Sequence, residues 1–176
     1  MARLRPLLSE TEIAARVEAL ARRISADYRQ AGELMLVGVL KGSFIFLADL
    51  SRKLTIPRRV DFVALSTYPG ESTQPGAVRT VMDLRQDIAG RHVLVVEDIV
   101  DTGHTLRYLL RLLEARGPAS LRTCVLVRKR RQGPATEEVP VDYLGFEIPD
   151  RWVVGYGLDW SERYRTLPYI ALLEEA

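Results

Sequence analysis

The sequence holds one cysteine, Cys124, among 176 residues. That excludes an internal disulfide and fits a reducing compartment. The apolar run Val125, Leu126 and Val127 beside it marks the thiol as a small core hydrophobe. Lysine is nearly as scarce: of 25 basic residues, only Lys41, Lys53 and Lys129 are lysines. Arginine offers a planar fork and lysine a compact point charge, so these three are where a role specific to lysine is sought first. No apolar run approaches the ~20 residues of a membrane helix. Residues 1–5 lead into an amphipathic stretch, not an apolar signal core, so a cytoplasmic protein without membrane contact is expected. The net charge of +2 is too small to argue for nucleic acid. Absent too are the Gly-x-x-x-x-Gly-Lys-[Ser/Thr] phosphate loop and the Gly-x-Gly-x-x-Gly dinucleotide fingerprint.

What is present is ordinary globular composition, 47% hydrophobic and 27% charged, in a length that suits a single domain over residues 1–176. Ser9 with Glu12 makes a capping box, and Ile13, Val17, Leu20, Ala21 and Ile24 recur at helical spacing behind it, predicting a helix over 10–28. Residues 34–39 form a continuous apolar run typical of a buried parallel strand. A helix over 44–54 and a strand over 60–66 follow, then a polar stretch, 67–77, with Pro69, Gly70, Pro75 and Gly76. Loops of that length inside compact domains are often functional lids. Residues 78–84 read as the returning strand of a hairpin. Further strands are expected over 92–96, 121–127 and 141–146, with a helix over 105–116 stopped by Gly117 and Pro118. The remainder reads as aromatic-rich and irregular. Alternating strands and helices predict an α/β fold, with a mostly parallel central sheet flanked by helices.

The chemistry concentrates after the strand at residue 92. Its four apolar residues, Val93 to Val96, end in Glu97-Asp98, adjacent carboxylates at the carboxyl end of a buried strand, where open α/β sheets place ligand sites. Such a pair suits a vicinal diol or a hydrated Mg²⁺, which takes oxygen ligands. Asp101-Thr102-Gly103-His104-Thr105 then turns into a helix, where backbone N–H groups and the helix dipole cradle a phosphate. Diol followed by phosphate describes a ribose 5-phosphate.

Val95-Val96-Glu97-Asp98-Ile99-Val100-Asp101-Thr102-Gly103-His104-Thr105 resembles the PRPP-binding motif of the type I phosphoribosyltransferases. The resemblance implies their fold, a parallel sheet with a small base-binding hood from the termini. It implies that Glu97 and Asp98 hold the ribose hydroxyls, that Thr102, Gly103, His104 and Thr105 wrap the 5′-phosphate, and that Asp101 handles the proton at N7 of a purine. Most of the chain resembles the purine branch, the hypoxanthine-guanine enzymes. Lys41-Gly42 looks like their pyrophosphate loop, often of unusual peptide geometry. Thr67-Tyr68 looks like their catalytic lid, with Thr67 where serine is usual and Pro69 before Gly70. Lys129 matches the lysine that reads the purine O6; as a donor it suits a 6-oxopurine and not the amino group of adenine.

Asp150-Arg151-Trp152-Val153-Val154-Gly155-Tyr156-Gly157-Leu158-Asp159 is similar to the branch's base-binding segment. Trp152, where phenylalanine is usual, takes the stacking position, a contact of ~1–3 kcal/mol. Val153 offers backbone groups, Asp159 meets a second Mg²⁺ or the base amino group, and Arg165 contacts pyrophosphate. The implied metal residues are Glu97, Asp98 and Asp159, with Mg²⁺ as cofactor. The implied reaction joins hypoxanthine or guanine to PRPP, giving IMP or GMP and pyrophosphate, in a homodimer or homotetramer. A rival reading takes the cluster Arg128-Lys129-Arg130-Arg131 as an RNA contact, as in pyrimidine-operon attenuators of the same fold, but those lack the segment from Trp152 to Asp159. Xanthine or a pyrimidine as acceptor is a third reading, with the pattern of Lys129 and Asp159 against pyrimidine; adenine ranks low.

Overall fold

A computed structural model describes residues 3–67, 78–131 and 139–174. Its main sheet has six strands in the order β4-β3-β2-β5-β6-β7. These are β2 (Leu34–Leu40), β3 (Arg58–Thr67), β4 (Val78–Met82), β5 (His92–Val100), β6 (Ser120–Lys129) and β7 (Tyr143–Ile148). Five run parallel and β4 alone is antiparallel, on the β3 edge. The helices are α1 (Glu10–Asp27), α2 (Phe44–Lys53) and α3 (His104–Glu114).

Alternation along the central strands sends side chains to two cores. Leu36, Leu94 and Cys124 pack with α1 and α2, while Met35, Val95 and Val125 pack with Leu106, Leu109 and Leu113 of α3. Both faces being covered explains why β2 and β5 read as unbroken apolar runs. The capping box at the start of α1 is complete: Glu12 N–H donates to Ser9 Oγ at 3.2 Å and Ser9 N–H to Glu12 Oε2 at 2.8 Å.

The chain leaves β2 through α2 on one face and leaves β5 through α3 on the other, while β2 and β5 are neighbours. Their carboxyl-end loops therefore diverge and open a crevice, the switch point at which such sheets take ligands.

A second sheet, β1-β9-β8, joins the two ends of the chain. β1 (Arg3–Leu8) pairs antiparallel with β9 (Ile170–Glu174), and β9 with the two-residue β8 (Val153–Val154). This sheet was not read from local pattern. Pro6 interrupts β1, and the register shifts between Pro6 and Leu8, as proline permits only at edges and bulges.

Three boundaries differ in ways that matter. β5 continues to Val100 instead of stopping at residue 96, so Glu97 and Asp98 lie within the strand. β6 continues to Lys129, which makes that lysine a strand residue. α3 starts at His104, one residue early, behind Gly103 in the left-handed region at φ +89°. Among the described residues no helix is long and apolar enough to cross a membrane.

Candidate active site

Glu97 and Asp98 are each only 8% exposed. Burial, then the neighbouring charge of Asp98, pushes Glu97 well above the usual carboxylate range. Burial raises Asp98 as well, against the pull of its hydrogen bonds and of Arg165. Beyond them the chain turns through Asp101, Thr102 and Gly103 into α3, whose N-terminus carries no side-chain cap. Glu97, Asp101, Thr102, Gly103 and Thr105 line a cavity of about 230 Å³ there. An uncapped helix start facing a small cavity has the free N–H groups and the room that a phosphate cup needs. His104 is exposed on its rim.

The loop after β2 fits against this strand with no room to spare. A Cβ at Gly42 would fall 1.7 Å from Asp98 Oδ2, and a Cβ at Gly157 would fall 2.0 Å from Gly42 O. Only glycine allows either approach. The peptide between Leu40 and Lys41 is cis. Tyr156, at φ +51°, donates its hydroxyl to Asp49 Oδ2 on α2 at 2.5 Å, tying the turn around Gly157 to the main sheet's layer of helices.

On the far side of Gly42, Lys41 and Arg165 converge on a carboxylate that spacing did not single out. Lys41 Nζ lies 3.2 Å from Glu162 Oε2, and Arg165 Nη2 lies 3.0 Å from Glu162 Oε1. Arg165 also meets Asp159 Oδ1 at 2.9 Å and donates to Gly157 O at 2.9 Å. Asp159 Oδ2 accepts from Glu162 N–H at 2.8 Å. Lys41 and Arg165, both expected at pyrophosphate, and Asp159, expected at a second Mg²⁺ or the base amino group, are thus in one network. The bond between Lys41 and Glu162 spans 121 positions, which no local pattern carries.

Lys129, its side chain 7% exposed, places Nζ 3.0 Å from Asp101 Oδ2 and 3.8 Å from Asp150 Oδ1. It also lies 5.8 Å from the centroid of the Trp152 ring, within cation–π range. Trp152 is 56% exposed, a large apolar face held open beside the lysine. Val153 is buried in β8 and pairs with Leu172. Arg131, read only as part of a basic cluster, is 2.7 Å from Asp101 Oδ1 and 3.0 Å from Asp150 Oδ1. Arg128 and Arg130 both meet Glu147, at 2.6 and 3.4 Å. Every cation of the cluster therefore has a carboxylate partner, unlike a face left open for phosphates. Thr67 ends β3 opposite Val78; its expected partner in the lid, Tyr68, lies outside the described residues.

Among the described residues no three metal-binding side chains cluster, so Glu97, Asp98 and Asp159 do not form a cage. Mg²⁺ does not need one: it keeps waters and takes one or two carboxylates together with substrate phosphates. The buried pair Glu97 and Asp98, beside a phosphate cup, is a donor set of that kind.

The comparisons agree with this geometry. A family model described as Phosphoribosyl transferase domain matches residues 6–160. The chain is 46% identical over 172 residues to the hypoxanthine-guanine phosphoribosyltransferase of Dictyostelium discoideum, covering 96% of this chain and 94% of the other. It is 45% identical over 175 residues to the hypoxanthine phosphoribosyltransferase of Salmonella typhimurium, covering 96% of each. A solved hypoxanthine phosphoribosyltransferase of Trypanosoma cruzi, in a ternary complex with substrates, superposes with a TM-score of 0.90 at 42% identity, over 98% of this chain and 96% of that one. With the crevice at the switch point, the paired carboxylates and the phosphate cup in place, these matches show that the chain belongs to the phosphoribosyltransferase family.

Proposed function

We propose that this chain, as one domain over residues 1–176, transfers the 5-phosphoribosyl group of PRPP to N9 of hypoxanthine or guanine, releasing pyrophosphate and serving purine salvage. The observation that carries the reading is the pair of Lys129 and Asp101, 3.0 Å apart, between the phosphate cup and the open face of Trp152. A 6-oxopurine offers an acceptor at O6 and a proton at N7 on adjoining edges. A lysine and a carboxylate side by side match those two groups.

The cup at the start of α3 holds the 5′-phosphate, and the carboxylates of Glu97 and Asp98 face the ribose hydroxyls. Lys41 and Arg165 take the pyrophosphate, displacing Glu162 from between them. Glu97 and Asp98, with Asp159 near Arg165, are the residues that would hold Mg²⁺ through water. When bound, the ion neutralises charge on the leaving pyrophosphate. As the bond from C1′ to pyrophosphate lengthens, the ribose gains oxocarbenium character, and water must be kept from it; Thr67 and Tyr68 are assigned that closure. N9 attacks C1′ while Asp101 accepts the N7 proton, help of a kind worth ~10²–10⁴-fold. The reading includes a homodimer or homotetramer, for which Phe44, Val81 and Met82 are exposed apolar surface. It also includes a cytoplasmic location, in keeping with a single cysteine.

The test mixes protein, PRPP and Mg²⁺ with hypoxanthine, guanine, xanthine, adenine or uracil and follows nucleotide formation. IMP and GMP formation that stops with EDTA is expected. Turnover of adenine or uracil alone, or of no base, would contradict the assignment.

A further inference from the structure

Asp101 has a cation at each oxygen, and the two contacts differ in kind. Lys129 Nζ donates to Oδ2 at 3.0 Å. Arg131 Nε lies 2.7 Å from Oδ1, yet its one N–H is directed at Asp150 Oδ1, 3.0 Å away. Oδ1 is consequently buried without accepting a hydrogen bond. Charge attraction has no preferred direction, whereas a hydrogen bond does. Arg131 thus supplies positive potential to the buried Oδ1, and Oδ2, held by Lys129, is the oxygen that an incoming donor can meet.

The four groups alternate in sign: Lys129, Asp101, Arg131, Asp150. Lys129 also approaches Asp150 at 3.8 Å, which closes the ring. The backbone fixes Arg131 where β6 ends, its N–H donating to Lys129 O at 3.0 Å, while Arg130 N–H donates to Ile148 O at 2.9 Å. When a 6-oxopurine draws Lys129 towards O6, Arg131 is the cation that stays with Asp101.

We propose that Arg131, anchored by Asp150, is a positioning residue: it holds the buried Oδ1 and keeps Asp101 as an oriented carboxylate whose Oδ2 meets the purine N7–H once Lys129 turns to O6. The inference rests on the function proposed above. In the step it serves, the N9 lone pair forms the bond to C1′ and the electrons of the C1′–O bond leave with pyrophosphate. The N7 proton passes to Asp101 Oδ2, and its bonding pair stays in the imidazole ring.

The experiment measures kcat and both KM values for the parent, Arg131→Gln, Arg131→Lys and Asp150→Asn, with hypoxanthine and PRPP. Arg131→Gln is expected to lower kcat about tenfold, part of the ~10²–10⁴ that a positioned acid or base supplies, and to leave the KM for PRPP within about twofold. Arg131→Lys should recover most of the loss, because the charge and not the planar fork is needed. Asp150→Asn should fall between Arg131→Gln and the parent, and it reads the same contact if Arg131→Gln fails to fold. A kcat for Arg131→Gln within about twofold of an active parent, or Arg131→Lys as slow as Arg131→Gln, overturns this inference alone. An inactive parent overturns the proposed function with it.

Discussion

Gly42 and Asp98 show how little freedom the site has at the level of single residues. The overlap at 1.7 Å means that Gly42→Ala must displace either the carboxylate or the loop after β2. Misplacing reacting groups by about 1 Å costs on the order of 10²-fold, so Gly42→Ala should lose at least that much in kcat/KM for PRPP while keeping its circular dichroism spectrum. A variant with parental kinetics would show that Gly42 is outside the site.

Glu97 makes a different prediction. Its raised proton affinity means that the folded state keeps a proton which the unfolded chain gives up. That contribution to stability is fully present below the usual carboxylate range and is lost as pH rises through the raised folded value. Glu97→Gln removes this burden, so without Mg²⁺ and PRPP it should melt above the parent at pH 7.5, with the gap closing at pH 4.5. An equal gap at both pH values would remove the buried charge as its cause.

Which residues gather at the candidate site was legible where they sit in one run of sequence. Glu97, Asp98 and Asp101 with the loop to Thr105 announced a diol and a phosphate, and Lys41 and Lys129 stood out because lysine is rare here. Glu162 and Arg131 were not legible as site residues. Their partners lie 121 and 30 positions away, and only the folded chain brings them together.

At the scale of elements, burial on both faces made the main sheet readable. Its central strands carry unbroken apolar runs, β2 throughout and β5 from Val93 to Val96, and such runs are unmistakable between polar turns. The terminal sheet carries no such signature. β8 is two residues long, and β1 contains Pro6 and two arginines, because its stability comes from pairing with β9 across the whole length of the chain. The same limit explains the boundary errors at β5 and β6: β5 runs on through the buried carboxylates Glu97 and Asp98, and β6 through Arg128 and Lys129, so polar residues there do not mark the strand's end. α1 is the converse case, announced by its own cap. Ser9→Ala removes the side-chain half of the capping box, the bond from Glu12 N–H to Ser9 Oγ, and should cost about 1 kcal/mol. For a chain of this size that is about 2–4 °C in Tm. An unchanged melting curve would mean that α1 is held by packing alone.

At the scale of the whole molecule, the order of the strands decides where chemistry can occur. Because β2 and β5 are neighbours whose connections leave by opposite faces, the loop of Lys41 and Gly42, the paired carboxylates and the start of α3 meet at one edge. The terminal sheet and the segment from Trp152 to Arg165 cover the same edge and add Lys129's neighbours. The proposed function divides the work between the two: the main sheet would hold ribose and phosphates, and the segment joined to the terminal sheet would read the base.

The most direct test of that account is a calorimetric titration of the protein with IMP and with AMP in the presence of Mg²⁺. The two nucleotides share ribose and phosphate and differ at the group that Lys129 faces. A site built around a donor rejects a ligand that offers only another donor, since the buried lysine is left unpaired. The account predicts that IMP binds at least about a hundredfold more tightly than AMP. Equal affinities, or tighter binding of AMP, would contradict it.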